Sequence, residues 1–243
     1  MDTMTAGTSQ LAVVVPVRQI DNPACGLLAG WATQAPTAKV ITVGRVEAVP
    51  PTLPGNLTVI DSNADLYGAM NAGLAAAQSR FVLFMGIDDR LLTTNVERVV
   101  AALSGVPAST PLVVLPFRIG GRQRTLKPVE GRLMAFHHQG VLFNRESLLR
   151  HGGYSSEYRM HSDLDAMFKL QKEAAACLFP VPLVEFRLGG ISTSGRNAGQ
   201  SFREITAIYK AHGVNRFEMI YAVSMTYLLL HRLRYLLRQV LGP

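Results

Sequence analysis

After a polar start the chain enters an uninterrupted apolar run, Leu11-Ala-Val-Val-Val-Pro-Val17, and then changes to helical spacing over residues 23–34. Short β-branched runs follow at Lys39-Val-Ile-Thr-Val43 and Leu57-Thr-Val-Ile60. A run apolar at every position suits a strand covered on both faces, and strands alternating with helices predict a parallel α/β sheet. Residues 66–78 predict a helix with little bulk (Gly68, Ala69, Ala72, Gly73, Ala75, Ala76, Ala77), so its backbone can lie close to the sheet or to a ligand. Phe81-Val-Leu-Phe-Met-Gly-Ile87 predicts a further buried strand.

The pattern then loosens. Thr94-Asn-Val-Glu97 reads as a capping box ahead of Val96, Val99, Val100 and Leu103, which predicts a helix over 94–104. Pro111-Leu-Val-Val-Leu-Pro-Phe117 predicts a strand, and Gly120-Gly121 turns it back into Arg122-Gln-Arg-Thr-Leu126, so the sheet becomes mixed. A strand over 139–143, a short helix ended by Gly152-Gly153, a helix over 162–175 and an extended segment or strand over 179–186 complete this part. No repeat or low-complexity linker interrupts it before about residue 200, which predicts one domain over 11–205 and an extension over 206–243. Residues 217–230 are almost wholly apolar apart from Glu218. Beyond them His231, Arg234 and Arg238 share one helical face, and Leu233, Leu236, Leu237 and Val240 another. The apolar part is short for a bilayer span. Residues 215–241 fit either a basic helix lying on an anionic membrane surface or a core-packing or homodimer helix with a solvated arginine face.

Composition changes this picture modestly. The 243 residues, 48% of them hydrophobic, can build one large core. A formal charge of +7 favours an anionic partner, such as a phosphorylated ligand or a membrane surface. Nucleic acid is not expected, because the basic residues are dispersed and no helix-turn-helix, finger or aromatic RNA-binding signature is present. Cys25 and Cys177 lie far apart without metal spacing, which fits a reducing cytoplasm. Residues 1–10 lack a basic and then apolar leader and predict a flexible tail, with no indication of export.

The candidate chemistry is acidic. Asp88 and Asp89 follow the strand ending near Ile87, and the next helix has its own start signal, so neither is needed as its cap. Ligands of open α/β sheets bind beyond the carboxyl ends of strands, and paired hard oxygens there suit Mg²⁺ or Mn²⁺ carrying a phosphorylated substrate. A second acidic group is His161-Ser-Asp-Leu-Asp165. Ser162 reads as an N-cap with Asp165 three residues on, a structural use for Asp165. Asp163 would sit at the first helical position, where it either offsets the dipole or serves as a general base at a cleft edge. Two residues apart on a helix, Asp163 and Asp165 cannot both face one cleft. His137, His138 and His161 are near the acids in sequence but lack the spacing of a metal set.

With these residues laid out, the chain resembles the family 2 glycosyltransferases of the GT-A fold, especially those that build bacterial cell-surface glycans. Tyr67-Gly-Ala-Met-Asn71-Ala-Gly73 followed by the strand and Asp88-Asp89 looks like that family's small-residue helix and metal motif. His138-Gln139, Gly153-Tyr154, His161-Ser-Asp163 and Gly189-Gly-Ile-Ser-Thr193 look like its acceptor half, in order, over about residues 11–195. The resemblance implies a Rossmann-like mixed sheet flanked by helices, with a helical C-terminal extension. It implies an inverting, Mn²⁺- or Mg²⁺-dependent hexosyltransferase that moves a sugar from a nucleotide-sugar donor to a glycan or lipid-linked acceptor. Asp89 would hold the metal, and Asp88 the donor ribose or the metal's water shell. Pro16, Val17 and Arg18 would border the nucleotide with Asn71 nearby. Asp163 would be the base, and His138 and Gln139 would lie on the acceptor or diphosphate side. Such a protein would be cytoplasmic, held peripherally at the inner face of the plasma membrane by its basic tail.

Some features depart from that pattern. The acid that usually follows the second strand and holds the base is replaced by Gly44-Arg45, which leaves the nucleotide open and makes an inactive binding or scaffolding subunit the alternative. Gly68 stands where many relatives have Asp, and Asp65 where they have Gly. The only tryptophan is Trp31, so the Gln-x-x-Arg-Trp signature of processive synthases is absent and single-sugar transfer is favoured. A nucleotidyltransferase would need a glycine-rich loop after the first strand, and Val17-Arg-Gln-Ile-Asp-Asn22 has no glycine.

Overall fold

A computed structural model describes residues 9–125, 128–129, 132–133, 138–187 and 197–214. The expectations for residues 1–8, His137, Gly189 to Thr193 and the amphipathic helix over 215–241 fall outside the described residues.

The first half alternates as its apolar pattern demands. β1 (Leu11–Ile20), α1 (Asn22–Gln34), β2 (Ala38–Val46), β3 (Leu57–Asp61), α2 (Leu66–Ala76) and β4 (Phe81–Phe84) come in turn, followed by the short β5 (Arg90–Leu91) and α3 (Val96–Leu103). β6 (Leu112–Val114), β7 (Phe117–Ile119), β8 (Arg122–Arg124), β9 (Pro128–Val129) and β10 (Arg132–Leu133) are brief. β11 (Val141–Asn144), α4 (Arg145–Arg150), α5 (Ser162–Gln171), β12 (Cys177–Leu178), β13 (Val184–Phe186) and α6 (Ala198–Ala211) close the described chain.

The central sheet has seven strands in the order β12-β6-β11-β4-β1-β2-β3, all parallel except β11. Alternate residues of β1 enter opposite cores. Leu11, Val13 and Val15 pack with Leu28 and Trp31 of α1 and with Val96 and Val99 of α3. Ala12 and Val14 pack with Tyr67, Met70 and Leu74 of α2 and with the apolar faces of α5 and α6. This is the double coverage that an all-apolar strand requires. α2 lies so close to β1 that a Cβ on Gly73 would collide with the Val14 side chain. Its start is fixed by Asp65, whose Oδ1 accepts from the Gly68 N–H at 2.8 Å.

Two expectations are corrected. The run over 111–117 is two strands in different sheets. Pro116 has no N–H to donate, so β6 stops at Val114 and β7 joins the four-stranded sheet β5-β13-β7-β8. The capping box at Thr94 does not form. Thr93–Asn95 is a 3-10 turn, and the side-chain amide of Asn95 donates to the Pro182 carbonyl at 2.9 Å instead. α6 spans residue 205 and buries Ile205, Ile208 and Tyr209 in the core. Among the described residues no helix is long and apolar enough to cross a membrane.

Candidate active site

The first turn of α5 carries two acids, as a helix N-terminus favours. Its cap is His161 rather than Ser162, and His161 makes no side-chain capping bond. Its Nε2 lies 2.7 Å from Ser201 Oγ on α6, and Ser162 Oγ is buried without a partner. The two acids diverge as their spacing requires. Asp165 takes Lys169 Nζ and His212 Nε2, each at 2.7 Å, and ties α5 to the end of α6. Asp163 turns instead toward α2 and the His138–Gly140 turn that precedes β11. Its Oδ1 accepts from the Tyr67 hydroxyl at 2.9 Å, and its Oδ2 lies 2.8 Å from His138 Nδ1.

Asp163 is almost fully enclosed. Burial pushes its carboxyl up, but the His138 hydrogen bond and charge, the His161 charge and the Tyr67 hydrogen bond outweigh burial and hold it below the usual range. Burial and the Asp163 charge in turn keep the Tyr67 phenol well above its usual value, so it remains a donor. Both oxygens of Asp163 thus have a protein contact. The His138 Nε2, on the far side of the imidazole ring, is buried and has no partner among the described residues. The neighbouring Gln139 is also buried, and its Oε1 is likewise unpartnered.

Asp89 is built into the turn after β4. Its Oδ2 accepts from the Gly86 N–H at 3.0 Å, and its Oδ1 from the Arg187 N–H at 3.0 Å, just past β13. The acid thus joins the end of the central sheet to the second sheet. Burial raises its carboxyl, opposed by the Arg187 and Gly86 N–H groups, and the His138 charge also acts on it. Asp88 beside it is exposed. The acids from β4 and α5, remote in sequence, thus meet electrostatically at His138.

These residues fit a substrate-borne cation better than a resident one. Among the described residues no group of three or more His, Cys, Asp and Glu side chains could hold a metal. Mg²⁺ and Mn²⁺ in phosphate-transfer sites need only one or two carboxylates, the rest coming from substrate and water. Each Asp89 oxygen keeps a lone pair beyond its single N–H bond.

The remaining candidates are placed as follows. Pro16 and Val17 are half-buried and Arg18 is exposed, all within β1, which continues past them with a register shift between Pro16 and Gln19. A Cβ on Gly44 would collide with the Val17 carbonyl, so this close approach of β1 and β2 leaves no room for an acid at that point. Asn71 clamps a loop. Its amide donates to the Tyr154 carbonyl at 2.9 Å, and its Oδ1 accepts from the Tyr154 N–H at 2.8 Å. Gly153 permits this clamp, with φ of +73° and no Cβ to meet Asn71 Oδ1. A separate hollow of about 290 Å³ is lined by Gly26, Gly30 and Trp31 of α1 and by Arg90, and no candidate acid borders it. The sequence reading gave no role to Tyr67 or His212. The only signal for Tyr67 was a bulky hydroxyl in a helix of small residues.

No protein-family model matches the chain, and no curated protein does. Solved structures do. S. aureus TarS 1–349 superposes with a TM-score of 0.61 at 12% identity, covering 93% of this chain and 72% of that one. The same protein in complex with UDP-GlcNAc gives 0.61 at 13% identity, covering 91% and 71%. The mannosyltransferase PcManGT from Pyrobaculum calidifontis, in complex with GDP-Man and Mn²⁺, gives 0.60 at 15% identity, covering 96% and 76%. The mixed sheet flanked by helices in this chain is therefore the GT-A fold.

Proposed function

We propose that the protein is an inverting glycosyltransferase that moves a single sugar from a nucleotide-sugar donor to a glycan or lipid-linked acceptor. The observation that carries this reading is the buried contact of Asp163 with His138, inside a fold shared with structures that hold UDP-GlcNAc or GDP-Man. Asp89, with Asp88 beside it, would hold Mn²⁺ or Mg²⁺ delivered with the donor, and the cation would neutralise charge on the departing diphosphate. Pro16, Val17 and Arg18, in the second half of β1, border the nucleotide in this proposal. The Asp163–His138 pair supplies the proton-accepting function, and Tyr67 keeps its carboxylate ionised and oriented. Gln139 offers a buried carbonyl oxygen to acceptor or diphosphate. Asn71 serves the site indirectly, by holding the Gly153–Tyr154 loop against α2.

The test is nucleotide release from a panel of sugar nucleotides that includes UDP-GlcNAc and GDP-mannose, with and without Mn²⁺. Metal-dependent release from at least one donor is expected. A folded protein that turns over none of them removes the proposal and favours a scaffolding role. Attachment of residues 215–241 to the inner face of the plasma membrane is part of the proposal. It predicts that deletion of residues 215–243 moves the protein from the membrane fraction to the supernatant.

A further inference from the structure

We propose that the atom that takes the acceptor's proton is Nε2 of His138, and that Asp163 holds the imidazole rather than meeting the hydroxyl itself. This rests on the sugar-transfer reading and deepens it. Both oxygens of Asp163 are engaged, one by the Tyr67 hydroxyl at 2.9 Å and the other by His138 Nδ1 at 2.8 Å, and the side chain is 5% exposed. These two contacts hold the carboxylate against the imidazole. Nδ1 next to a carboxylate carries the hydrogen, so the ring presents a lone pair at Nε2 whenever it is neutral. That nitrogen is buried and has no partner among the described residues. A hydroxyl donor arriving in the acceptor would give it a hydrogen bond. Carboxylate, imidazole and open nitrogen form the relay by which a buried acid fixes the tautomer of a histidine base.

The step balances as follows. The acceptor O–H bond breaks and its proton goes to Nε2. The freed oxygen electron pair bonds the anomeric carbon. The bond from that carbon to the diphosphate oxygen breaks, and its electron pair leaves with the nucleoside diphosphate. The resulting imidazolium is paired with Asp163, has Asp89 within electrostatic reach, and returns its proton to water.

The test compares His138→Asn and Asp163→Asn in the full-length protein. Asparagine at 138 keeps a donor toward Asp163 and has no second nitrogen. With UDP-GlcNAc or GDP-mannose, Mn²⁺ and water as acceptor, His138→Asn should lower kcat by about 10²–10⁴-fold. Its affinity for UDP or GDP should be unchanged. Activity within about threefold of wild type in a folded His138→Asn, or nucleotide binding weakened tenfold or more, overturns the proposal. The second outcome would make His138 a diphosphate contact. An arm independent of turnover is ¹⁵N NMR of the histidine rings: His138 should carry its hydrogen on Nδ1 in the wild type and lose that preference in Asp163→Asn. The opposite tautomer, or no change in the variant, overturns the proposal. Absence of turnover with the expected tautomer would count against sugar transfer instead.

Discussion

Two buried tyrosines differ in one respect that stability measurements can read. Tyr67 donates its hydroxyl to Asp163 at 2.9 Å, whereas the Tyr154 hydroxyl is buried without a partner among the described residues. The rings pack together with centroids 5.3 Å apart, and Tyr154 also meets Phe84 at 5.0 Å, so replacement by Phe preserves the aromatic cluster in both cases. Tyr67→Phe removes a hydrogen bond to an ionised, enclosed carboxylate, a loss of about 1.5–3 kcal/mol. At about 2–4 °C per kcal/mol for a protein of this size, the melting temperature should fall by about 3–12 °C. Tyr154→Phe removes a hydroxyl whose burial is uncompensated, so it should be neutral or stabilising by up to about 1 kcal/mol. Urea unfolding at pH 7 gives both values from the shift in midpoint at constant slope. Equal losses in the two variants, or a larger loss for Tyr154→Phe, would refute the assignment of Tyr67 as the partner of Asp163.

Other consequences follow from the same geometry. Gly153→Ala places a Cβ 2.5 Å from Asn71 Oδ1 at a φ of +73°. The left-handed backbone alone costs about 1–2 kcal/mol, and a melt should show that cost plus the broken Asn71 clamp. Asn71→Ala in that background should then add little, because the clamp is already lost. Burial holds the His161 imidazole below its ordinary value despite the charges of Asp163 and Glu204. The unfolded chain therefore takes up the proton first, so stability is full above about pH 6.5 and falls as pH drops toward the folded value. His161→Gln should flatten that slope between pH 8 and 5 in urea titrations. Asp165 titrates in a more acid window. Burial raises its carboxyl, but His212 and Lys169 outweigh burial and hold it low. Its stabilisation is present above about pH 3.9 and lost as pH falls through the folded value. Asp165→Asn should therefore be destabilised at pH 7, and its difference from wild type should shrink as pH falls below about 3.9.

The parallel half of the fold was legible because residues 11–17 of β1 and all of β4 are apolar, and such runs have no polar face to give. The second sheet was not. β5, β7 and β13 are two or three residues long and exist through pairing with one another across long stretches of chain, which no local pattern records. Pro116 was visible, but that it sends β7 into another sheet was not. In the candidate site, Asp88, Asp89 and Asp163 stood out as acids without an obvious local task. Both of the local tasks found for Asp89 are bonds to backbone N–H groups, one of them from Arg187, 98 residues away. The Tyr67–Asp163 bond spans 96 residues, so the enclosure of Asp163 could not be read from the helix that carries it. Ser162 looked like a cap by residue type, yet tertiary packing gave the capping position to His161.

The most direct test of the central claim is calorimetric titration of the full-length protein and its Asp89→Asn variant with UDP and GDP, in the presence and absence of Mn²⁺. The account predicts binding of at least one nucleotide that requires the metal and disappears in a folded Asp89→Asn protein. Binding of neither nucleotide with Mn²⁺, or the same metal-dependent binding in the variant, would contradict it.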